Sequence, residues 1–350
     1  MKKTISIGDT KIGGKHPILI QSMCNTDTRD VKSTVQQILQ LEKAGCEIIR
    51  VAVPDMKAAL ALSEIKKQIH IPLVADIHFD YKLAIEAIKQ GVDKIRLNPG
   101  NIGNKEHIKA VVEACKKKNI PIRIGVNGGS LEKDILHKYN DKATPDALVE
   151  SALRHVKILE NLDFYNIIIS VKASDVLTSI QAYKLLNQKT DYPLHLGITE
   201  AGTLKGGTIK SAMGLGVLLY EGIGSTIRIS LTADPLEEVR AAWAILKNLE
   251  LRTRGIAFTS CPGCGRTEIQ LQKIANELED YCQDLEKIIH IAVMGCVVNG
   301  PGEATSADIG IIGGKGQTAI YQEGKLIHTC PEEEVISFTK KLIDKFVKKL

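Results

Sequence analysis

Two short apolar runs, Lys94-Ile95-Arg96-Leu97-Asn98-Pro99-Gly100 and Ile122-Arg123-Ile124-Gly125-Val126-Asn127-Gly128-Gly129, frame a stretch with helical periodicity, Ile108–Lys118. Two like strands joined by an amphipathic helix are one βα repeat, because parallel strands need a long crossover connection. Outward from this unit the same grammar recurs. The strand candidates are Ile18–Thr26, Ile48–Pro54, Leu73–Phe79, Lys94–Gly100, Ile122–Gly129, Asn166–Ser174, Leu194–Gly202 and Thr226–Thr232, with helical patterns such as Val31–Ala44, Pro145–Asn161 and Pro235–Leu249 between them. Eight such units predict a closed (β/α)8 barrel of the TIM type, which typically takes about 250 residues. An open doubly wound sheet would use fewer strands and carry a Gly-rich dinucleotide turn after the first, and none follows Ile18–Thr26.

Ahead of the barrel, Lys3–Gly13 reads as a small hairpin turning at Gly8-Asp9, suited to plugging the barrel floor. The longest connection, Ser130–Thr144, is charged and reads as a mobile loop. After Leu251 the pattern changes to Gly, Pro and Cys clusters with a few helices, among them Thr267–Leu285 and Glu332–Lys348. The expected organisation is therefore a barrel over residues 1–250 and a smaller α+β domain over 251–350.

The chain has 350 residues, 44% hydrophobic and 25% charged, which is the balance of a globular protein and excludes disordered and fibrous classes. The uncharged stretch around Ile291–Pro301 is too short and Gly-rich to span a bilayer, and Met1–Asp9 lacks the apolar core of a signal peptide, so a cytoplasmic protein is expected. Net charge is +5, concentrated in the barrel half, since residues 251–350 carry 12 basic and 13 acidic side chains. A mild excess of that kind suits small anionic ligands. With one Trp and 4% aromatics, a base-stacking nucleic-acid surface is not expected.

Five cations sit inside five different strand candidates: Arg50, Arg96, Arg123, Lys172 and Arg228. Both faces of a barrel strand are buried, so lone charges there are costly unless paired. Period-2 alternation puts Asn98 on the face of Arg96, Asn127 on that of Arg123, Ser170 on that of Lys172 and Ser230 on that of Arg228. Asp76 and His78 share a face on the third strand, as do Ile198 and Glu200 on the seventh. All lie toward strand C-terminal ends, where barrel enzymes keep their active sites. Internal salt bridges would explain some of these charges. Five cations against few acids fit an anion site better, and guanidinium forks suit a phosphate or diphosphate. The glycine pairs around Lys210, at Gly206-Gly207 and Gly214–Gly216, would add backbone donors if they formed loops.

Eight cysteines in a chain of this length do not form a disulfide scaffold. Cys261-Pro262-Gly263-Cys264, with a third thiol at Cys296 in the run Gly295–Glu303, has the composition of a metal centre. A zinc knuckle would normally offer a second Cys or His pair, whereas three thiolates suit a 4Fe–4S cluster with a different fourth ligand; spacing leaves both readings open. Either Cys330 or Glu303 is a candidate fourth donor. Cys46, Cys115 and Cys282 read as buried core thiols, and Cys24 is placed equally well in the core or facing the pocket.

The assembled motifs resemble one family closely, the bacterial 4-hydroxy-3-methylbut-2-enyl diphosphate synthases of the non-mevalonate isoprenoid pathway. The resemblance rests on Gln21-Ser22-Met23, Val74–Asp80, Asn98–Gly103, Ile122–Asn127, Ser170–Asp175, His195–Gly202, the Cys261/Cys264 pair and Gly295–Glu303, and so runs nearly end to end. It implies reductive ring opening of 2-C-methyl-D-erythritol 2,4-cyclodiphosphate, with electrons from reduced flavodoxin or ferredoxin passing through a 4Fe–4S cluster. It implies Cys261, Cys264, Cys296 and Glu303 as cluster ligands, which demotes Cys330. It also implies a diphosphate pocket of Arg50, Arg96, Arg123, Lys172 and Arg228, supported by Asp76, His78, Asn98, Asn127, Ser170, His195 and Ser230. Glu200 is the candidate proton donor, a role that asks for burial or nearby negative charge to raise its pKa. The resemblance further implies a head-to-tail homodimer with each cluster domain over the partner's barrel. Two rival readings are a pteridine-type transferase barrel with a zinc-stapled lid, and an iron-sensing scaffold that needs no phosphate pocket.

Overall fold

The computed structural model describes residues 2–349, which fall into two compact units divided between Arg252 and Thr253. In the first, a hairpin of β1 (Ile5–Ile7) and β2 (Thr10–Ile12) turns at Gly8-Asp9, where Gly8 takes a positive φ of 57°. The barrel strands follow: β3 (Leu19–Met23), β4 (Ile48–Ala52), β5 (Leu73–Asp76), β6 (Lys94–Arg96), β7 (Ile122–Asn127), β8 (Ile167–Lys172), β9 (His195–Leu196) and β10 (Thr226–Ile227). All are parallel, in the order β8-β7-β6-β5-β4-β3-β10-β9, and an isolated parallel bridge between Ile169 and Leu194 joins the ends. The predicted (β/α)8 barrel is thus present.

The outer ring comprises α1 (Val31–Lys43), α2 (Met56–Lys66), α3 (Tyr81–Lys89), α4 (Lys105–Lys118), α5 (Lys133–Lys138), α6 (Pro145–Glu160), α7 (Val176–Lys189), α8 (Leu204–Tyr220) and α9 (Pro235–Asn248). Most helices start where the sequence supplies an oxygen acceptor for orphan backbone N–H groups. Asp30, Asp55, Asp80, Asn104, Thr144, Asp175 and Asp234 each accept from a backbone N–H in the first turn of the helix that follows.

Two expectations are corrected. Ser130–Thr144 is not a bare loop, because α5 forms within it, anchored by the buried Leu131 and Ile135 and by an Arg154–Asp134 ion pair of 2.7 Å. Gly206-Gly207 and Gly214–Gly216 are not phosphate-cradling loops either; both lie within α8. There Gly207 packs so closely that a Cβ would come within 2.9 Å of the Gly202 carbonyl oxygen.

Barrel strands and helices share one large apolar core. A second, smaller cluster joins Ile5, Ile7 and Ile12 of the hairpin to Leu19, Ile48, Val74 and Ile168, which open their strands. The hairpin therefore seals the N-terminal end of the barrel with apolar contacts, and the charged residues occupy the interior above it.

In the second unit a mixed sheet runs β11 (Ile256–Ser260), β12 (Ile289–Met294), β13 (Ile309–Gly314), β14 (Gln317–Gln322) and β15 (Lys325–Cys330), parallel for the first three strands and antiparallel thereafter. Helices α10 (Leu271–Cys282), α11 (Gly300–Ser306) and α12 (Glu332–Lys349) complete this α+β unit. Among the described residues no helix is long and apolar enough to cross a membrane.

Candidate functional site: a cationic cavity in the barrel and a thiol-bearing sheet edge

At the C-terminal end of the barrel lies a cavity of about 230 Å³. It is lined by Met23, Arg50, Asp76, His78, Arg96, Arg123, Asn127, Lys172, Thr199, Arg228 and Ser230. Its volume is below the ~300–1,000 Å³ of drug-sized ligand sites, as befits a small, highly charged guest. The five cations singled out from sequence thus converge on one space, although each belongs to a different strand or its C-terminal extension.

Two carboxylates partly neutralise them. Asp76 lies 3.7 Å from Arg50 Nε and 3.3 Å from Arg96 Nη1. Burial raises its pKa, but Arg50, a hydrogen bond with His78 and Arg96 hold the carboxyl well below the usual range. Glu238 of α9 lies 3.6 Å from Arg228 Nε and accepts from the Leu231 N–H and the Ser22 hydroxyl. Arg123 and Lys172 have no carboxylate within ion-pair distance among the described residues, and Arg123 donates only to Ser170 Oγ. Burial first, then neighbouring cations, pushes both below their ordinary pKa values. Burial also pushes Arg50 down, to about 10. A buried cavity with surplus positive charge, in which two of the five cations have no carboxylate partner among the described residues, is complementary to an anion.

Two glycines make room for these cations. A Cβ at Gly125 would lie 2.9 Å from Arg96 Nε and 3.0 Å from Arg123 Nη1. At Gly197 it would lie 2.5 Å from Lys172 Nζ and 2.7 Å from the Arg228 carbonyl.

Other residues predicted from sequence fall around the cavity rather than on it. Asn98 donates to the Gly125 carbonyl and accepts its N–H at 2.9 and 2.8 Å, so it braces the strand that carries Arg123. Ser170 is buried as the partner of Arg123. His195 is fully buried, its Nδ1 2.8 Å from Thr226 Oγ1 and its Nε2 without a partner. Glu200 does not line the cavity, and the burial its proton-donor role asks for is absent: it is exposed, with a left-handed φ of 50°. The sequence reading missed Met23 and Thr199 on the lining, Glu238 behind it, and Lys94 below it. Lys94 is fully buried, and its ammonium donates to Gln21 Oε1 at 2.8 Å. Its signal was available: it stands two residues before Arg96 and so shares its face.

In the second unit Cys261 directly follows β11 and Cys296 lies two residues beyond β12, and these strands pair in parallel through Ser260 and Val293. Cys261, Cys264 and Cys296 therefore leave one edge of the sheet, with Glu303 on α11 just after it. Cys261 Sγ accepts the Gly295 N–H at 3.3 Å, and Thr267 Oγ1 accepts the Cys264 N–H at 2.9 Å, which holds the Cys261–Cys264 loop against the strand end. Cys264 is exposed and the other two are half-buried.

The structure does not gather the four predicted ligands. Among the described residues no three His, Cys, Asp or Glu side chains form a metal-holding group. The donor set still fits a thiolate-bound iron–sulfur group in kind: three accessible thiols at one strand edge, one already receiving an N–H···S hydrogen bond. Cys330 is buried at the end of β15, the edge strand opposite β11, with burial raising its pKa. Burial likewise pushes Cys24, Cys46 and Cys115 to about 12, the state of inert core thiols.

Residues 2–243 match the model of the GcpE TIM-barrel domain, and residues 257–345 match that of the GcpE protein C-terminal domain. A 4-hydroxy-3-methylbut-2-en-1-yl diphosphate synthase (flavodoxin) of Caldanaerobacter subterraneus subsp. tengcongensis is 60% identical over 348 residues, covering 99% of this chain and 98% of that one. The protein of the same description from Clostridium perfringens is 58% identical, covering 98% of each chain. Among solved structures, the dihydropteroate synthase of Yersinia pestis aligns with 71% of this chain and 98% of its own at a TM-score of 0.50 and 13% identity. At that identity the likeness shows the shared barrel alone.

Proposed function

Since the chain belongs to the GcpE family of 4-hydroxy-3-methylbut-2-en-1-yl diphosphate synthases, we propose the following division of labour among its residues. The activity is the reductive ring opening of 2-C-methyl-D-erythritol 2,4-cyclodiphosphate to 4-hydroxy-3-methylbut-2-enyl diphosphate and water, a step of the non-mevalonate isoprenoid pathway. It consumes two electrons. The barrel, residues 1–250, takes the substrate, and residues 251–350 carry the redox centre.

Arg50, Arg96, Arg123, Lys172 and Arg228 bind the diphosphate, with Asn127, Ser230 and His78 donating around it. The observation that carries this reading is the unpaired state of Arg123 and Lys172 in a closed cationic cavity. Asp76 orients Arg50 and Arg96, while Asn98, Ser170 and His195 hold the strands beneath. Cys261, Cys264, Cys296 and Glu303 would hold a 4Fe–4S cluster. When bound, it supplies electrons one at a time and a Lewis-acidic iron. Glu303 would be the one oxygen donor beside three thiolates. Glu200 is assigned the proton that leaves with the departing hydroxyl.

Flavodoxin, named for the relatives, is the donor proposed here. A homodimer is supported by α8, which exposes Ile209, Met213 and Val217 at i, i+4 and i+8, together with Tyr220. A second copy of the chain would cover this apolar stripe, and each cluster domain would serve the partner's barrel. The transferase reading fails on the family match, and the iron-sensor reading leaves the cationic cavity without a use.

Anaerobically purified protein is expected to contain about four irons and four sulfides per chain. Its visible spectrum should change when the cyclodiphosphate is added. Stoichiometric zinc in a colourless protein would overturn the cluster assignment. Glu200→Gln is expected to slow turnover by about 10²-fold, the usual scale for loss of a general acid, with KM little changed. Unchanged turnover with reduced methyl viologen as donor would remove Glu200 from the reaction.

A further inference from the structure

The loops that follow β6 and β7 are tied together at two levels. At their roots Asn98 bonds both backbone groups of Gly125. Farther out the tie is His155, a buried histidine on α6 that touches both loops. Its Nδ1 accepts the Gly100 N–H at 3.2 Å, from the single 3-10 turn Pro99–Asn101. Its Nε2 lies 3.2 Å from Glu132 Oε1, just ahead of α5.

The two contacts fix the tautomer. Because Gly100 donates to Nδ1, the ring proton of neutral His155 resides on Nε2, the nitrogen that faces Glu132 Oε1 at ion-pair distance, and that buried oxygen has no aligned hydrogen-bond donor among the described residues. The other Glu132 oxygen accepts from Ser151 Oγ at 2.6 Å. Burial raises the Glu132 pKa, but the bonds from His155 and Ser151 prevail and bring it down to about 2. The ring also fills the space a side chain at position 100 would need, since a Cβ there would lie 2.6 Å from His155 Cε1. Helix, turn and loop thus meet at one imidazole, and no bland packing residue could supply both an acceptor and a donor.

We infer that His155 is a positioning residue for diphosphate binding: through Gly100 and Glu132 it locks the β6 and β7 loops into one rigid wall beside the anion cavity. The inference rests on the reading of that cavity as the substrate site, whose lining includes Arg96 of β6 and Arg123 and Asn127 of β7. His155 itself does not line the cavity, so it acts through the loops and not on the substrate.

Pyrophosphate affinity, measured by calorimetry on the full chain, tests this apart from turnover. His155→Leu is expected to weaken pyrophosphate and raise KM for the cyclodiphosphate by on the order of tenfold, leaving kcat within about twofold, because a lost buried hydrogen-bond pair acts on loop order and not on the reacting atoms. His155→Gln, which keeps one acceptor and one donor, is expected to recover most of the affinity. If His155→Leu does not fold, Glu132→Ala serves in its place and should show the same split. Imidazole nitrogen NMR should show Nδ1 of His155 unprotonated in the wild type and both nitrogens exchanging in Glu132→Ala. Wild-type affinity in both loop-breaking variants, or a loss of kcat at constant KM, would overturn the positioning role. A wild type that binds neither pyrophosphate nor the cyclodiphosphate would instead overturn the anion-site reading, and this inference with it.

Discussion

Arg123→Met is expected to weaken binding of the cyclodiphosphate by at least about a hundredfold, on the scale of the ~2–5 kcal/mol lost when one member of a buried charge pair is truncated. It is also expected to raise the melting temperature of the ligand-free chain. Both effects follow from one fact. The Arg123 guanidinium is 2% exposed, faces Arg50 and Arg96, and bonds only to Ser170. Without ligand it carries a desolvation and repulsion cost that the fold bears elsewhere. With ligand, that cost becomes binding energy. Methionine fills much the same apolar volume, and Ser170 Oγ keeps the Ile124 carbonyl as its acceptor at 3.3 Å. A gain of about 1 kcal/mol would move the transition by roughly 2–4 °C in a unit of this size. Calorimetry for affinity and a thermal melt for stability read the two halves independently. A lower melting temperature with unchanged affinity would mean that Arg123 serves the fold and not a ligand.

The same surplus charge sets the pH dependence. Burial and neighbouring cations lower the pKa of Lys94 and Lys172 below the ordinary lysine value of 10.5. The unfolded chain then binds more protons than the folded one between the lowered values and 10.5, so stability must rise with pH through that window. Ligand-free protein is therefore expected to melt higher at about pH 9 than at about pH 7, and saturating pyrophosphate should flatten the rise. Asp76 and Glu132, whose pKa values are also lowered, act in the same sense but only in acid, where their protonation removes stability as the pH falls. A ligand-free melting curve that falls from neutral to alkaline pH would show that the buried cations are satisfied by groups other than a ligand.

Cys264→Ser is expected to remove the visible colour and reduce turnover by more than about 10²-fold, since even outer-shell changes at metal sites cost about 10–100-fold. Pyrophosphate affinity should be untouched. The argument is one of exposure: Cys264 lies on an open loop outside the apolar core of its unit, so its loss breaks no packing. Anaerobic spectra and iron content measure the first effect, and calorimetry the second. Mixing this variant with Arg123→Met tests the proposed dimer. Recovery of activity in the mixture fits a site shared between two chains, and none fits a self-contained one. Full colour in Cys264→Ser would strike this thiol from the ligand set.

Much of this was legible before any coordinates. A lone Arg or Lys between Ile and Val has no comfortable place in a strand buried on both faces, so the five cavity cations identified themselves. The shortness of β9 and β10 was not legible. Leu194–Gly202 and Thr226–Thr232 keep strand-like alternation, with Ile198, Ile227 and Ile229 all buried, yet the ladder ends after two residues in each. Beyond it the two backbones meet again at the isolated Thr203–Thr232 bridge, and between them Gly197 clears Lys172. Alternation reports which way side chains point and is silent on whether the backbone stays paired.

Glu238 escaped for a different reason. A glutamate in the first turn of a helix is ordinary dipole chemistry, and only the fold shows this one turned inward against Arg228. His155 carries no sequence signal beyond its place in the helical pattern Pro145–Asn161. A 4Fe–4S centre with Glu303 as fourth ligand is what the family resemblance implies, because spacing alone leaves zinc and Cys330 in play. Cys330 ends β15, the edge strand opposite β11.

The apolar seal between the N-terminal hairpin and the strand openings has a consequence for traffic. The barrel is a blind well, closed at its floor by Ile5, Ile7 and Ile12. On the proposed assignment of the cavity, substrate would enter and product leave by the C-terminal end. Both would be diphosphates drawn to the same cations, so the product would have to vacate the well before the next substrate descends, and would compete with substrate for as long as it lingers. Water faces the same constraint, because no second route drains the cavity from below. A charge cluster that would attract solvent from both ends of an open tube is thereby screened from the N-terminal end.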